Sequence, residues 1–326
     1  MNKEHYLLNN RQYSVLSSLN DEFNMDSDKN YLFELPHLGM ISVNGPRAAE
    51  LLQGQLSCDV NHVNSTTMRK GALCNLKGRV QALVDVINWQ GLKLVLPCDL
   101  INQTMDSLAK AAMLSRVVLS PDSDYKLFGF YLNNPEDLLP SPLTAELNAF
   151  SAVSTDDSYC YAIGDNFYLI INIAKTAFTL TDPFISQQQM RGSLAWHRLQ
   201  LDRPRVEIYP ESRGAFLPHR LNLHKTDYIS FDKGCYKGQE IVARTHYRAK
   251  LKHGLKNFFV SSKLPLHSGQ KLLNLSDNAE IGELVDFCPL SADNYLIVAS
   301  ILNEHPEVAR LEGQDVAITL NTTLSS

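Results

Sequence analysis

An alternation of apolar and polar residues predicts a half-buried sheet in the first third of the chain. Val80, Ala82, Val84 and Val86 occupy every second position, so one face of their strand is buried. The preceding turn, Leu76–Arg79, predicts a hairpin with a basic tip. The same pattern predicts strands at Gly39–Gly45, Gly71–Leu76, Val80–Trp89 and Leu92–Leu96, and helices at Pro46–Leu56 and Leu100–Leu114.

The pattern breaks at Pro121–Asp124, where a cluster of turn-forming residues predicts a boundary. A small α+β unit is expected from Tyr125 to about Met190. It has predicted strands at Leu127–Leu132 and Tyr159–Ile173, the second folded at Gly164–Asp165, and two short helices at Lys175–Leu180 and Pro183–Met190. The two helices are separated at Pro183, because proline interrupts helical hydrogen bonding.

Residues 191–247 return to helix and loop, and short strands follow. Glycines punctuate these strands, and no helix is predicted between them, which is typical of a small antiparallel barrel or sandwich. The predicted strands are Asn257–Val260, Gln270–Leu273, Ile281–Phe287, Asn294–Ser300 and Val316–Leu320.

Length and composition indicate a soluble protein of two or three domains. The chain has 326 residues, of which 44% are hydrophobic and 20% charged. Its apolar runs are shorter than the roughly 18–20 residues that a membrane span needs, and residues 1–30 lack the apolar core of a signal peptide. We therefore expect a cytoplasmic location. The six cysteines form no C-x-x-C pair, so neither a disulfide framework nor a zinc ribbon is predicted.

Charge is unevenly distributed along the chain, whose net charge is −5. Between Trp196 and Lys256 there are thirteen Lys/Arg and six Asp/Glu, against 17 and 29 in the remainder. A basic zone in an acidic protein favours an anionic partner, such as a polyanion, a phosphate or a carboxylate. The alternative is a solvated face of long side chains without a partner.

The segment Lys233–Ile241, KGCYKGQEI, follows an apolar stretch and opens a predicted helix, Glu240–Tyr247. Cys235 is thus placed near a helix N-terminus and beside lysines, including Lys233, and both features favour a reactive thiolate. Glu240 can cap the helix or accept a proton. The alternative is that the glycines form a tight turn and Cys235 only fills space.

Cysteine–histidine catalysis needs a base near the sulfur, and His197, His219 and His224 are the candidates. The histidine spacing does not predict a metal site. Walker, dinucleotide-binding, nucleophile-elbow and H-E-x-x-H motifs are absent from the sequence.

The block around Cys235 closely resembles the K-G-C-Y-x-G-Q-E signature of the YgfZ family. These are folate-binding proteins related to the aminomethyltransferase of the glycine cleavage system. The resemblance spans about Tyr31 to Leu320 and includes four weaker blocks. These blocks are Leu51–Val60, Asn75–Arg79, Trp196–Val206 and Phe216–Pro218.

The resemblance implies an α+β, three-domain, aminomethyltransferase-like folate-binding fold with a C-terminal antiparallel β-barrel. After an N-terminal segment, 1–30, a folate-binding-type α+β domain is expected from residues 31–120 and 191–250. A small ferredoxin-like domain is expected at 121–190 and the barrel at 251–326.

The resemblance also implies a cofactor, tetrahydrofolate or a folate derivative. Trp196 is expected to stack on the pterin ring, and cations to bind the glutamate tail. The candidate cations are Arg198, Arg203, Arg205 and Arg244. Further cofactor-binding residues are expected on the basic hairpin and the signature loop, at Asn75, Lys77, Tyr236 and Gln239.

The segment after Trp196 aligns with the family in two registers. One register puts Gln200 near the position of the family's acidic residue, and the other puts Asp202 there. We prefer Asp202, because that register needs no gap and keeps a carboxylate to anchor the pterin. Leu38 stands where some relatives have an aromatic residue.

The function implied is a folate-binding accessory factor for iron–sulfur enzymes, with Cys235 as its working thiol and tRNA methylthiolation as a downstream effect. One alternative is a tetrahydrofolate-dependent aminomethyl transferase, for which no catalytic aspartate can be assigned. The other is direct tRNA binding, which the negative net charge disfavours. The expected partners are folate and iron–sulfur client proteins, with tRNA contacted indirectly and neither membrane nor DNA bound. A monomer is favoured.

Overall fold

The computed structural model describes residues 4–134, 136–314 and 317–320. The first sheet has five antiparallel strands in the order β5-β6-β7-β4-β8. Helices α2 and α3 accompany it, and the predicted elements of this region are confirmed to within three residues. The elements are β4 (Leu38–Asn44), α2 (Ala48–Gln55), β5 (Arg69–Cys74), β6 (Val80–Asn88), β7 (Leu92–Pro97), α3 (Ile101–Ser115) and β8 (Val118–Asp122).

The second sheet has six strands in the order β10-β11-β12-β9-β3-β13. Its strand β3 pairs antiparallel with β9 and parallel with β13. Residues 31–34, which the sequence assigns to the first domain, therefore lie in the second sheet. The strands are β3 (Tyr31–Glu34), β9 (Tyr125–Tyr131), β10 (Ala152–Ser154), β11 (Ser158–Gly164), β12 (Phe167–Ile173) and β13 (Met190–Arg191).

One helix, α4 (Ala177–Ser186), replaces the two short helices predicted on either side of Pro183. The proline lies inside this helix. Because it has no N–H, it removes one helical hydrogen bond. Packing of the buried residues Ala177 and Leu180 retains the helix despite that loss.

The third sheet is antiparallel, with strand order β14-β17-β16-β15-β18-β19. Its edge strands β14 and β19 approach each other, so the sheet curls into a half-barrel, as the C-terminal pattern predicted. Val316, the start of the last predicted strand, lies outside the described residues. The strands are β14 (His253–Ser261), β15 (Lys271–Asn274), β16 (Glu280–Pro289), β17 (Asn294–Leu302), β18 (Val308–Leu311) and β19 (Ala317–Thr319).

Two helices connect the sheets. Helix α5 (Ser193–Asp202) packs against strands of the second and third sheets, and seven of its ten residues are buried. Helix α6 (Gln239–Arg248) begins within the signature segment, one residue earlier than predicted. Within the described residues, no helix is long and apolar enough to cross a membrane.

The N-terminal segment is part of the core rather than a separate polar extension. It forms a hairpin of β1 (Glu4–Leu8) and β2 (Arg11–Val15), followed by the short helix α1 (Leu19–Phe23). Tyr13 is fully buried and Arg11 is 3% exposed. The Arg11 guanidinium forms ion pairs with Asp99, at 2.8 Å, and with Glu207.

A buried polar network extends from Glu207. Its carboxylate accepts a hydrogen bond from the Tyr13 hydroxyl at 2.8 Å, and its backbone N–H donates to Asp286 of β16 at 2.8 Å. Burial alone would raise the pKa of the Glu207 carboxyl, but Arg11 and then His37 outweigh it and hold that pKa well below its usual value. The network therefore holds a charged carboxylate in the interior.

Arg11→Ala is expected to lower the free energy of unfolding by roughly 3–5 kcal/mol, because it leaves Glu207 buried without its main counter-ion. Chemical denaturation followed by tryptophan fluorescence measures the change. Arg47→Ala is the matched control, since Arg47 pairs with Glu50 on the exposed surface and its loss should not move the midpoint. Equal midpoints for both variants would contradict the role assigned to Arg11.

Candidate functional site

Lys233 anchors the signature loop to the end of α2. Its ammonium group donates to the backbone carbonyls of Gln53, Leu56 and Cys58, each at 2.7 Å. Such carbonyls at a helix end lack partners within the helix. Burial lowers the pKa of Lys233 to about 8. Because its three donor hydrogens serve these bonds, Lys233 positions the loop rather than supplying the free charge that we expected beside Cys235.

Backbone and side-chain bonds hold the rest of this loop. The N–H of Lys237 donates to the carbonyl of Gly54 at 3.1 Å, and the N–H of Ser230 donates to that of Ser57 at 2.9 Å. The side-chain oxygen of Gln239 accepts from the N–H of Tyr236 at 3.1 Å. Gln239, predicted to bind the cofactor, thus closes the turn that leads into α6.

The basic hairpin packs directly against this turn. Gly238 has a φ of +85°, and a Cβ on it would lie 2.5 Å from the Asn75 carbonyl oxygen and 3.2 Å from the Gly78 Cα. The Asn75 side chain accepts from the N–H groups of Lys77, at 2.9 Å, and Arg79, at 3.0 Å. Asn75 therefore shapes the hairpin that carries Lys77, and the two predicted blocks form one surface.

Cys235 is exposed on this surface, as its predicted role requires. Burial raises the pKa of Cys58 and of Cys74 to about 12, and it raises those of Cys160 and Cys288 as well. Cys98 is exposed, and its pKa is raised by burial of the sulfur and by Asp99. The predicted activation of Cys235 stays a prediction.

The candidate histidine bases lie in two places. His197 is fully buried in the network around Glu207, where its Nε2 is 3.2 Å from Asp286. His219 and His224 pack on each other with ring centroids 4.8 Å apart, next to His246. In the part of the chain that the structure describes, no group of three His, Cys, Asp or Glu side chains is arranged to hold a metal ion.

Two adjoining cavities lie between the first and second sheets. The inner cavity, of about 120 Å³, is closed by α5 and by residues 205–208, and Leu38 and Trp196 line it. The outer cavity, of about 520 Å³, contains the cations Lys70, Arg203, Arg205 and Lys225 and the acids Asp165 and Asp227. Lys70, Arg205 and Tyr228 line both cavities, so the two are direct neighbours.

A cation and an anion face each other on the cavity wall. Lys70 of β5 and Asp85 of β6 are partners in strand register. The Lys70 ammonium donates to the Ile163 carbonyl at 3.3 Å, and Asp85 accepts from the Tyr161 hydroxyl at 3.0 Å. Burial lowers the pKa of Lys70 to about 8 and raises that of Asp85, a rise that Lys70 opposes.

Gln200, and not Asp202, lines the inner cavity. Trp196 and Gln200 are four residues apart on α5 and share one helical face, whereas Asp202 is turned away and lies 3.2 Å from Arg198. Asp202, the preferred pterin anchor, thus does not line this cavity, whereas Gln200, the residue of the other register, does. The Gln200 side chain has a buried N–H₂ group that has no hydrogen-bond partner among the described residues.

The predicted residues thus fall into two main groups, with Arg198 and Asp202 paired with each other outside both. Leu38, Trp196 and Arg205 line the inner cavity, and Arg205 also lines the outer one together with Arg203. The second group lies on the hairpin, the signature loop and α6, and lines neither cavity. It comprises Asn75, Lys77, Lys233, Cys235, Tyr236, Gln239, Glu240 and Arg244, of which Lys77, Cys235, Glu240 and Arg244 are exposed.

Sequence reasoning did not single out Lys70, Asp85, Glu207 or Tyr228 as site residues. Lys70 and Asp85 could have been identified from the sequence, because each is a charged residue in a mainly apolar strand. Glu207 and Tyr228 lie in irregular segments, where no periodicity marks the side that faces a cavity.

The fold is that of an aminomethyltransferase. The structure aligns with glycine cleavage system aminomethyltransferase T from Bartonella henselae at a TM-score of 0.71, covering 99% of this chain and 94% of that one, with 14% identity. No family model matches the chain.

Relatives named tRNA-modifying protein YgfZ match most of the chain. The protein from Colwellia psychrerythraea is 27% identical over 303 residues, which is 90% of this chain and 92% of its own length. The one from Klebsiella pneumoniae is 28% identical over 284 residues, 85% of this chain and 86% of its own. The chain is thus similar over most of its length to proteins named tRNA-modifying protein YgfZ, which confirms the predicted resemblance.

Iodoacetamide at neutral pH is expected to label Cys235 before the other five cysteines. The four buried thiols are shielded and stay protonated, and the raised pKa of Cys98 keeps its thiolate scarce. Mass spectrometry of a labelling time course gives the rates, with Cys98 as the internal control. Equal rates for Cys98 and Cys235 would refute activation of Cys235.

Proposed function

We propose that the chain binds a reduced folate in the two adjoining cavities and serves as an accessory factor for iron–sulfur enzymes, through which it supports tRNA modification. The unpartnered side-chain N–H₂ group of Gln200 in a mainly apolar cavity carries the folate part of this proposal. A buried donor without an acceptor costs roughly 1–3 kcal/mol, and a ligand acceptor would remove that cost.

The inner cavity matches the needs of a pterin. A flat, polar ring requires apolar walls and a few directed hydrogen bonds. Trp196 and Leu38 supply walls, Gln200 a donor, and Asp85 and Glu207 acceptors. Trp196 is already packed between Phe33 and Phe167, so an edge rather than a free face meets the ligand.

The outer cavity matches the anionic tail of a folate. Arg203, Arg205 and Lys225 line it. The Arg203 guanidinium lies over the Phe167 ring at 4.7 Å, which positions it without neutralising its charge. Arg205 contacts Asp165 at 2.5 Å through one nitrogen, which leaves donors on that guanidinium.

Cys235 supports the accessory role because of where it lies. It is exposed on a loop held by Lys233 and lines neither cavity. A thiol in that position is accessible to a second protein. The reduced folate supplies a one-carbon carrier when bound, whereas the thiol acts on the partner. The relatives' name, tRNA-modifying protein, supports the downstream link to tRNA.

Tetrahydrofolate is expected to quench the fluorescence of Trp196 more than that of Trp89. Trp196 lines the inner cavity, whereas Trp89 is stacked on Tyr159, at 5.8 Å, and does not line it. Titration of the two single-tryptophan variants, Trp89→Phe and Trp196→Phe, measures the difference.

A pair of lysine variants extends this titration. Lys70→Met should weaken tetrahydrofolate binding, because Lys70 lines both cavities. Lys110→Met is the matched control and should leave the binding unchanged, because Lys110 is exposed on α3. Absence of quenching in both single-tryptophan proteins would remove the folate proposal.

Cys235→Ser is expected to abolish support of tRNA methylthiolation in cells while leaving folate affinity unchanged. The sulfur lies outside the cavities, so its loss should separate the two activities. Nucleoside mass spectrometry of tRNA and titration of purified protein measure them, and Cys98→Ser is the matched exposed-thiol control. Normal methylthiolation in Cys235→Ser cells, or formaldehyde release from an aminomethyl donor by the purified protein, would count against an accessory role.

A further inference from the structure

The second half of α6 begins a long stretch without acidic residues. Residues 241–276 contain seven Lys/Arg and no Asp or Glu, in a chain with 35 acidic residues. Five of these cations are exposed and form no ion pair with any described residue: Arg244, Arg248, Lys250, Lys252 and Lys263. The first four lie on α6 or within four residues of its end. With Tyr247 they make up a surface that we call the outer face of α6.

The charges on this face are not balanced within the helix. Arg244 and Arg248 are four residues apart, so their side chains share one side of α6, where like charges repel. Arg248, in the last turn, gains some stability from the helix dipole. Glu240, one turn before Arg244, lies on the same side of the helix, but no ion pair joins the two among the described residues. Arg248, Lys250 and Lys252 lie farther from this acid along the chain, so an external anion would meet mainly cations there.

An aromatic ring projects among these cations. Tyr247 is 70% exposed, although large apolar side chains are usually covered. Its ring packs edge-on against His246 at 4.9 Å and Phe231 at 6.1 Å, and His246 stacks on Phe231 at 3.9 Å. The rings beneath restrict Tyr247, so an exposed aromatic surface is held in place before any partner binds.

We propose that the outer face of α6 binds unpaired nucleotides of a nucleic acid, with a base stacked on Tyr247 and phosphates contacted by the surrounding cations. Exposed aromatic rings interleaved with Lys and Arg are the combination that binds single strands. A duplex hides its base faces, so it can use the cations but not the ring. This inference does not depend on folate binding or on the thiol of Cys235.

The test is fluorescence anisotropy with a labelled RNA stem-loop, the DNA stem-loop of the same sequence, and a loop-free duplex of equal length. The wild-type protein should bind a stem-loop more tightly than the duplex. Tyr247→Ala should weaken stem-loop binding about fivefold or more, whereas Tyr247→Phe, which keeps the ring, should retain it. Arg248→Gln should reduce the slope of log affinity against log salt by roughly 0.7.

Two substitutions outside this face are matched controls. Phe259→Ala removes an aromatic residue that is 47% exposed on β14. Arg47→Gln removes an exposed arginine at the N-terminus of α2. Neither should change the affinity. The proposal is supported if either stem-loop binds, if Tyr247→Ala weakens that binding and if Tyr247→Phe retains it. Comparison of the RNA with the DNA stem-loop identifies which sugar the surface accepts. Equal binding of stem-loop and duplex, an unchanged Tyr247→Ala variant, or no saturable binding would each overturn it.

Discussion

Glu207, which is largely buried, links the N-terminal hairpin to the third sheet. An ion in a protein interior costs several kcal/mol unless good partners surround it, and here the partners come from two distant parts of the chain. Arg11 and Tyr13 come from the N-terminal hairpin, and Asp286 from the third sheet. Because Glu207 also lines the inner cavity, the contacts that close the fold and those that shape the cavity are the same.

Strand β5 connects the cavity with the thiol surface. Lys70 near its start faces the cavity, and Cys74 at its end leads into the hairpin that packs on Gly238. At about 3.3 Å per residue the two ends of this segment are roughly 13 Å apart. A ligand that moves Lys70 thus acts on the strand that supports the Cys235 loop, so the proposed folate and thiol functions share one rigid element.

Much of the fold was predictable where burial follows a simple period. Strands such as β6 have apolar residues at every second position, and most were predicted within three residues. The N-terminal hairpin was missed because its buried residues include Arg11, which needs distant partners to be buried. The helical period predicts that Gln200, four residues after Trp196, lies on the same face of α5 as that tryptophan, whereas Asp202 does not. The pairing of Lys70 with Asp85 required the strand register, which no local pattern contains.

The contact between Gly238 and the basic hairpin has an evolutionary consequence. Gly238 and Gly78 are 160 positions apart in the chain, yet a methyl group on either would collide with the other's segment, at 2.5 Å from Asn75 or 2.9 Å from Ile241. Natural variation at one segment is therefore constrained by the other. The two short motifs should be inherited as a pair, and a homologue that has lost one glycine should carry a compensating change in the opposite segment.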